Sequence, residues 1–200
     1  MSYPKSIINL IECYKKLPGV GEKTAERLAI ATMDFDDNLI NLYLESIKDV
    51  KTKIVRCEKC NHLSESNICS ICGDNTRDNR IICVVEEPKN VIMFEKLGSY
   101  RGLYHVLDGL ISPMDGVNPD DLKINLLLER IEKENIEELI LALKPSIEGE
   151  TTSLYIQKIS EKQNIKISKI AHGIPIGADM EYVDPLTLEM ALEQRKNLKE

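Results

Sequence analysis

Aromatic side chains and long apolar runs are scarce in this sequence of 200 residues. It contains no tryptophan and only two phenylalanines, so a surface that stacks many bases on aromatic rings is not expected. No apolar run approaches the roughly 20 residues that a transmembrane helix requires, and no basic segment followed by an apolar core indicates a secretory signal. These absences favour a cytoplasmic globular protein, in which cysteines are expected as thiols or metal ligands rather than as disulfides.

The net charge of −7 is unusual for a protein that binds nucleic acid. The charge is unevenly distributed, because residues 1–60 carry 10 Lys and Arg against 9 Asp and Glu, whereas residues 61–200 carry 16 against 24. Any contact with nucleic acid is therefore expected near the N-terminus, and it is expected to be modest for a single chain.

Apolar periodicity predicts three helices followed by an α/β region. Ile7, Leu10, Ile11 and Tyr14 share one helix face, Pro18 and Gly19 end that helix, and two further helical patterns follow. Four apolar runs then predict strands over Ile81–Val85, Leu103–Leu107, Leu139–Leu143 and Ile165–Ile170. Helical stretches near 88–97, 120–134, 150–162 and 185–196 alternate with them, which predicts a mostly parallel sheet covered by helices. Ser112–Pro119 is the one long irregular segment.

The segment Leu17–Gly21, with the sequence LPGVG, lies between two predicted helices and resembles a helix-hairpin-helix. Gly19 and Gly21 allow a tight turn and a close approach to a phosphate, and the second helix would begin with free N–H groups suited to an anion. Lys23 and Arg27 are four residues apart and share one face. These residues are candidate DNA contacts, directed to the backbone rather than to bases. The alternative is a plain turn with two solvated cations.

Two Cys-x2-Cys pairs indicate a metal site formed by Cys57, Cys60, Cys69 and Cys72. Four thiolates fill the tetrahedral shell of zinc and leave no position for a reactive water, so one structural zinc per chain is predicted. The metal would supply folding energy to a polar segment that has few apolar residues. A redox-active pair or unliganded thiols are the alternatives. His62 lies between the pairs and is interpreted as a surface residue.

Two segments in the second half of the chain resemble a Toprim domain, the α/β module of topoisomerases, bacterial primases and some nucleases. They are ICVVEEPKNV at 82–91 and LILALKPSIEGET at 139–151. In the catalytic relatives, a glutamate after the first strand and an Asp-x-Asp pair after a later strand hold Mg²⁺ for phosphoryl transfer.

Glu86 matches the glutamate of that pattern, whereas Lys144 and Ser146 stand at the positions of the two aspartates. A lysine brings a like charge toward a dication and a serine removes an anionic ligand, so the resemblance implies the fold without the catalysis. Glu148 and Glu150 are interpreted as partner contacts or as acids at a helix start, and the sequence does not separate the two.

The order of hairpin, four-cysteine cluster, Toprim-like region and short tail resembles the RecR family over nearly the whole chain. The segments that carry this resemblance are LPGVGEKTAERLA at 17–29, CEKC, CSIC, ICVVEEP, SPMDGVNPDDL at 112–122 and SKIAHGIPIGADMEYVD at 168–184. Two positions depart from the family pattern, which usually has Asn-Pro at Lys144-Pro145 and Gly-Gly at Gly177-Ala178. Alanine enters positive φ less freely than glycine, so the second turn is expected to differ slightly.

The resemblance implies a multi-module α+β chain: a helical helix-hairpin-helix domain at 1–54, a four-cysteine (C4) zinc finger at 55–76, a Toprim-like domain at 80–176 and a helical tail at 177–200. It also implies a non-enzymatic recombination mediator that forms a homo-oligomer, often a tetrameric ring around DNA. Such a mediator acts with RecO and RecF to help load RecA onto single-stranded DNA. Glu86, Lys144, Glu148 and Glu150 would then belong to a partner surface.

Several other residues have simpler interpretations. Cys13 and Cys83 are expected to be buried, His105 to be packed rather than reactive, and His172 to have a structural or protein-contact role. The acids Asp108, Asp115, Asp120 and Asp121 are interpreted as a solvated loop and helix-start residues, with a docking surface for RecO as the alternative.

Three other classes of function compete with the mediator. A metal-dependent nuclease or topoisomerase is disfavoured by Lys144 and Ser146, and a zinc-ribbon adaptor would contact only proteins. A sequence-specific transcription factor is the weakest alternative, because no helix rich in Arg, Asn or Gln is available to read bases.

Overall fold

The structure is a computed structural model, and it describes residues 3–171, 173–174, 176–193 and 195. His172 lies outside the described residues. The chain divides into two compact units, Met1–Lys53 and Ile54–Glu200. Among the described residues, no helix combines the length and apolar character needed to span a bilayer.

The first unit consists of three helices, α1 (Lys5–Lys15), α2 (Glu22–Ala31) and α3 (Asp37–Lys53), as the periodicity predicts. Ile11 of α1 packs against two alanines of α2, Ala25 and Ala29, and the apolar face predicted for α1 surrounds this contact. Small side chains at the crossing allow the two helices to approach closely. None of the residues of α3 is buried, although the helix is amphipathic.

The second unit begins with a short antiparallel ribbon, in which β1 (Val55–Arg56) pairs with β2 (Leu63–Ser64). A four-stranded sheet follows, formed by β3 (Asp78–Val85), β4 (Gly102–Val106), β5 (Glu138–Ala142) and β6 (Lys166–Lys169). The strand order is β4-β3-β5-β6, and all three neighbouring pairs are parallel. The predicted α/β fold with a parallel sheet is confirmed.

Helices cover both faces of this sheet. They are α4 (Pro88–Leu97), α5 (Ile124–Lys133) and α6 (Ile147–Ile159), and α7 (Pro185–Glu193) lies in the tail. On one face, Ile82 and Val84 of β3 pack in a cluster with residues of α5 and α6. On the other face, Cys83 and Val85 pack with Val91 of α4. A central strand that is buried on both faces explains the continuous apolar run at Ile81–Val85.

The segment Ser112–Pro119 is compact rather than irregular. Ser112 and Val117 form an isolated antiparallel bridge, and the turn between them contains a short 3-10 helix, Pro113–Asp115. Asp115 accepts a hydrogen bond from the hydroxyl of Ser112 at 2.6 Å. Asp115 therefore stabilises the turn in addition to carrying charge.

Three smaller predictions have mixed outcomes. Cys83 is buried as expected, but Cys13 is exposed in the single chain, so that prediction is wrong. Cys13 borders an apolar groove of the first unit rather than its core. At the turn near the tail, Gly177 adopts φ +82, and Ala178 is absent from the described residues with positive φ.

His105 of β4 is fully buried, in agreement with the packed role predicted for it. Its Nε2 lies 2.8 Å from the carbonyl oxygen of Lys123, the residue that precedes α5. Burial lowers the pKa of His105 to about 4, and the nearby charge of Arg130 acts in the same direction. The imidazole is therefore neutral at neutral pH, and its Nε2–H donates to the carbonyl.

This burial predicts a specific loss of stability in acid. An unfolded histidine titrates near pH 6.5 and the folded one near 4, so between these values the unfolded state binds more protons. The free energy of unfolding should therefore fall as the pH decreases from about 6.5 to about 4, by up to about 3 kcal/mol. Urea titrations of wild type and His105→Gln across this range measure the effect. Both proteins contain the same zinc ligands, so the effect of protonating those ligands cancels in the comparison. If the stability of wild type and His105→Gln fell equally with decreasing pH, the prediction would be contradicted.

Candidate metal centre and nucleic-acid interface

The four cysteines converge on one point. Cys57, Cys60, Cys69 and Cys72 place their Sγ atoms within 4.8 Å of one another, and the Sγ atoms of Cys60 and Cys69 are 3.5 Å apart. A tetrahedral zinc with Zn–S bonds near 2.3 Å separates its sulfurs by about 3.8 Å. The arrangement therefore fits one zinc ion bound by four thiolates, and all other His, Cys, Asp and Glu side chains that the structure describes form no comparable group.

Tight turns at both Cys-x2-Cys pairs orient these sulfurs. In the first turn, the N–H of Asn61 donates to the carbonyl of Cys57 at 2.9 Å. In the second, the N–H of Cys72 donates to the Sγ of Cys69 at 3.4 Å. Hydrogen bonds from Cys60 and Cys72 lower the pKa of Cys69, which favours its thiolate form. The hydrogen bond with Cys69 raises the pKa of Cys60 in turn, so without an ion the cluster favours the thiolate at Cys69.

His62 is half-buried, so its interpretation as a surface residue is wrong. Its backbone carbonyl accepts a hydrogen bond from the N–H of Cys57 at 2.8 Å, which places it against the first turn. Burial is the main cause that lowers the pKa of its imidazole. The histidine belongs to the packing of the finger, and the four sulfurs complete the ligand set without it.

The hairpin between α1 and α2 has the turn that its glycines predict. Gly19 adopts φ +78, a left-handed conformation that a side chain disfavours. Gly21 is the N-cap of α2 and supplies no side-chain hydrogen bond to the helix. The first N–H groups of α2 are therefore available to an external anion.

Exposed cations surround this helix start. Lys23 and Arg27 are both exposed on α2, and neither forms a salt bridge within the part of the chain that the structure describes. Lys15 differs, since its Nζ lies 2.8 Å from Glu12 and 2.9 Å from Glu22. These carboxylates raise its pKa and hold it across the hairpin. Lys15 thus joins α1 to α2, whereas Lys23 and Arg27 remain available.

The carboxyl ends of the parallel strands bring the remaining candidate residues to one edge of the sheet. Glu86 directly follows β3, and Lys144 follows β5. Ser146 is the N-cap of α6, where its hydroxyl accepts a hydrogen bond from the N–H of Gly149 at 3.3 Å. The serine at an aspartate position thus serves as a helix cap.

Glu148 and Glu150 both lie in the first turn of α6, which is favourable for acids. Ser146 and the charge of Lys144 hold the pKa of Glu148 below its usual value, while Asp115 acts in the opposite direction. The carboxylate of Glu150 pairs with Lys169 at the end of β6, at 2.6 Å. Within the described residues, these acids and Glu86 do not form a group of metal-ligand geometry.

Close backbone packing explains the glycine in this turn. A Cβ at Gly149 would lie 1.9 Å from the carbonyl oxygen of Lys144. No side chain fits there without a shift of the backbone, so Gly149 is needed for α6 to begin directly beside the end of β5.

Sequence reasoning missed the residues that attach the finger to the sheet. Arg56 pairs with Asp108 at 2.8 Å, and the side chain of Asn61 donates to the carbonyl of Val106 at 3.1 Å. A further contact that sequence reasoning missed joins α5 to the sheet, since the buried Arg130 donates to the carbonyl of Tyr104 at 2.8 Å. Each contact joins positions far apart in the chain, and no local pattern indicates them.

The metal centre leads to a direct prediction. Purified protein should contain one zinc per chain, and Cys60→Ser should lose most of it, because the turn then offers three thiolates and a poor ligand. Cys13→Ser is the matched control and should retain the metal, since Cys13 lies outside the cluster. Metal analysis after gel filtration, together with proteolysis of the finger, measures both effects. Full zinc occupancy in Cys60→Ser would be inconsistent with this site.

Comparisons with known proteins find matches along most of the chain. Family models match at 7–40 (RecR, helix-hairpin-helix), 54–74 (RecR, zinc finger domain with four cysteines), 80–171 (Toprim domain) and 173–196 (RecR, C-terminal). The chain is 44% identical over 198 residues to the recombination protein RecR of Staphylococcus haemolyticus, and the match covers 99% of this chain and all of that protein. The four matches together with this full-length identity show that the chain belongs to the RecR family of recombination proteins.

Proposed function

We propose that this protein is a non-enzymatic recombination mediator, an oligomeric DNA clamp that acts with RecO and RecF to help load RecA onto single-stranded DNA. Membership of a family of recombination proteins supports a role in DNA recombination and repair. The observation that carries the DNA-binding part of the proposal is the hairpin, with its free helix start and its two available cations.

The proposed DNA contact is made by Gly19, Gly21, Lys23 and Arg27. The backbone N–H groups after Gly21 would receive a phosphate, and the two cations would contact phosphates on either side. Such contacts fix the protein on the backbone and carry no sequence information. Two cations per chain give weak binding, so several hairpins must engage one DNA molecule for useful affinity.

An unpartnered apolar face in the first unit supports the oligomer. The α3 side chains Leu42, Ile47 and Val50 are 59%, 67% and 67% exposed, and they line a groove together with Leu17 and Phe35. A second copy of the chain would present the same apolar surface. Association of two copies about a two-fold axis would bury both of these surfaces at once. We assign this face to the homo-oligomer, with a tetrameric ring as the proposed state.

The residues at the carboxyl edge of the sheet support a function without bond cleavage. Lys144 and Ser146 replace the two carboxylates that would hold Mg²⁺, and Ser146 is engaged as a helix cap. A lysine at a ligand position repels a dication. Within the part of the chain that the structure describes, Glu86, Glu148 and Glu150 do not belong to a group that could hold a metal ion.

The same edge is the proposed partner surface, formed by Glu86, Lys144, Glu148 and Glu150. Ser146 and Lys144 keep the pKa of Glu148 below its usual value, and the charge of Asp115 opposes them, so the turn at 112–117 lies near the start of α6 and adds to the acidic surface there. Two apolar side chains accompany it, Met114 at 99% and Ile147 at 82% exposed. Acids with exposed apolar groups suit a basic partner, and we assign this surface to RecO.

A salt titration of DNA binding tests the proposed contact. Lys23→Ala/Arg27→Ala should bind DNA several-fold more weakly than wild type, with a shallower dependence of the affinity on salt, because each lost phosphate contact reduces the slope by about 1. Fluorescence anisotropy at several salt concentrations, with and without purified RecO, measures both quantities. Wild-type binding should strengthen with RecO, since the acidic residues 61–200 limit the affinity of the chain alone.

Lys158→Ala/Lys162→Ala is the matched control for this experiment. It removes the same charge at the same four-residue spacing from exposed positions of the second unit. The control should bind like wild type. If the hairpin variant also binds like wild type, the hairpin is not the DNA contact, and an adaptor that contacts only proteins becomes the better account.

A further inference from the structure

Strand β4 is an edge strand, and the zinc finger covers the end of its exposed side at Val106. The N–H of Val106, the last residue of β4, donates to the carbonyl of Cys60 at 2.9 Å. The carbonyl of Val106 accepts a hydrogen bond from the side chain of Asn61 at 3.1 Å. Both groups would otherwise be open to pairing with another chain, which is a general hazard of sheet edges. A metal ligand and its neighbour in sequence therefore take the place of a fifth strand at this position.

Asn61 links the metal centre to the segment after β4. It directly follows the ligand Cys60, is 3% exposed, and adopts φ +60. Its side-chain amide donates to two acceptors, the carbonyl of Val106 and, at 3.0 Å, the carboxylate of Asp108. Its backbone N–H belongs to the first metal-binding turn. The position of this amide is thus fixed by the turn that holds the metal.

Asp108 occupies an unfavourable backbone conformation that these contacts stabilise. Its φ is +66, in the left-handed region that a side chain enters at a cost in free energy. The carboxylate is held on one side by Asn61 and on the other by Arg56 at 2.8 Å, and Arg56 also donates to the carbonyl of Asn61 at 3.0 Å. All three contacts come from, or depend on, the finger.

The loop that begins at Asp108 returns to the sheet at Lys123. The N–H of Lys123 donates to the carbonyl of Leu107 at 3.0 Å, which closes the loop at its base. Between these points lie the bridge of Ser112 with Val117 and the exposed Met114. The direction in which the loop leaves β4 depends on the turn at Asp108.

We propose that Asn61 is a positioning residue that couples the zinc finger to the loop Asp108–Leu122. The metal-bound turn holds the amide of Asn61, and the amide holds Asp108 in its left-handed conformation and covers the end of β4. Loss of zinc would then release this loop as well as the finger. The proposal stands on these contacts alone and does not depend on which partner the loop binds.

Hydrogen exchange of the full-length protein, followed by mass spectrometry, tests the coupling. In zinc-loaded Asn61→Ala, amides in 107–123 should exchange at least about fivefold faster than in wild type, because two buried hydrogen bonds are lost. Amides of β5 should be unchanged, and zinc content should remain at one per chain. Removal of zinc from wild type with a chelator should accelerate the same segment more than β5.

Two further variants separate coupling from simple damage. Asn67→Ala is the matched control, because Asn67 lies in the same finger and its side chain donates to Glu58 of the finger rather than to β4 or the loop. This variant should change neither exchange nor zinc content. Asn61→Gly removes the amide while accepting positive φ, and it should behave like Asn61→Ala. Unchanged exchange at 107–123 in either zinc-loaded Asn61 variant would overturn the proposal. So would loss of zinc from both variants, or equal acceleration of β5 after zinc removal.

Discussion

Four sulfur atoms within 4.8 Å of one another hold together a finger that has almost no apolar interior. Its buried cluster consists of three of the ligands, with Ile71 and Cys72 at its margin. Ile71 also packs against the clusters on both faces of the sheet. A structural zinc at this point therefore stabilises the finger and, through Ile71, its attachment to the larger domain.

The sheet that contacts the finger lies in the segment that matches a Toprim domain, and Lys144 and Ser146 follow β5 at its carboxyl edge. Backbone geometry brings Glu86, Lys144 and the start of α6 to that edge, as it would in an enzyme. At this edge Ser146 caps α6, Glu150 pairs with Lys169, and Lys144 is exposed. In the proposed function, this edge recognises a protein partner, and the contact with DNA lies in the separate hairpin of the first unit.

Local patterns in the sequence are sufficient to predict most of the fold. Helical periodicity identifies α1, the buried run Ile81–Val85 identifies the central strand, and cysteine spacing identifies the metal centre, since each signal lies within a few consecutive residues. The sequence also indicates the hairpin turn, because Gly19 takes the positive φ expected of it.

Features that depend on distant contacts cannot be predicted in the same way. The sequence predicts a buried Cys13, but this residue borders an apolar face that remains open in one chain. Asn61 follows a ligand in sequence, yet its importance arises from Val106 and Asp108, more than 40 positions away. The close approach of Gly149 to Lys144 likewise becomes visible only when α6 is placed against β5.

The central proposal, that this RecR-family chain binds DNA without cutting it, is tested most directly by one assay. Zinc-loaded protein is incubated with supercoiled plasmid and with single-stranded DNA in the presence of Mg²⁺ or Mn²⁺. Binding and strand integrity are then measured in the same samples. The account predicts bound DNA with intact strands and unchanged topology. Metal-dependent nicking or relaxation that disappears in Glu86→Gln would contradict it and would identify the edge of the sheet as an active site.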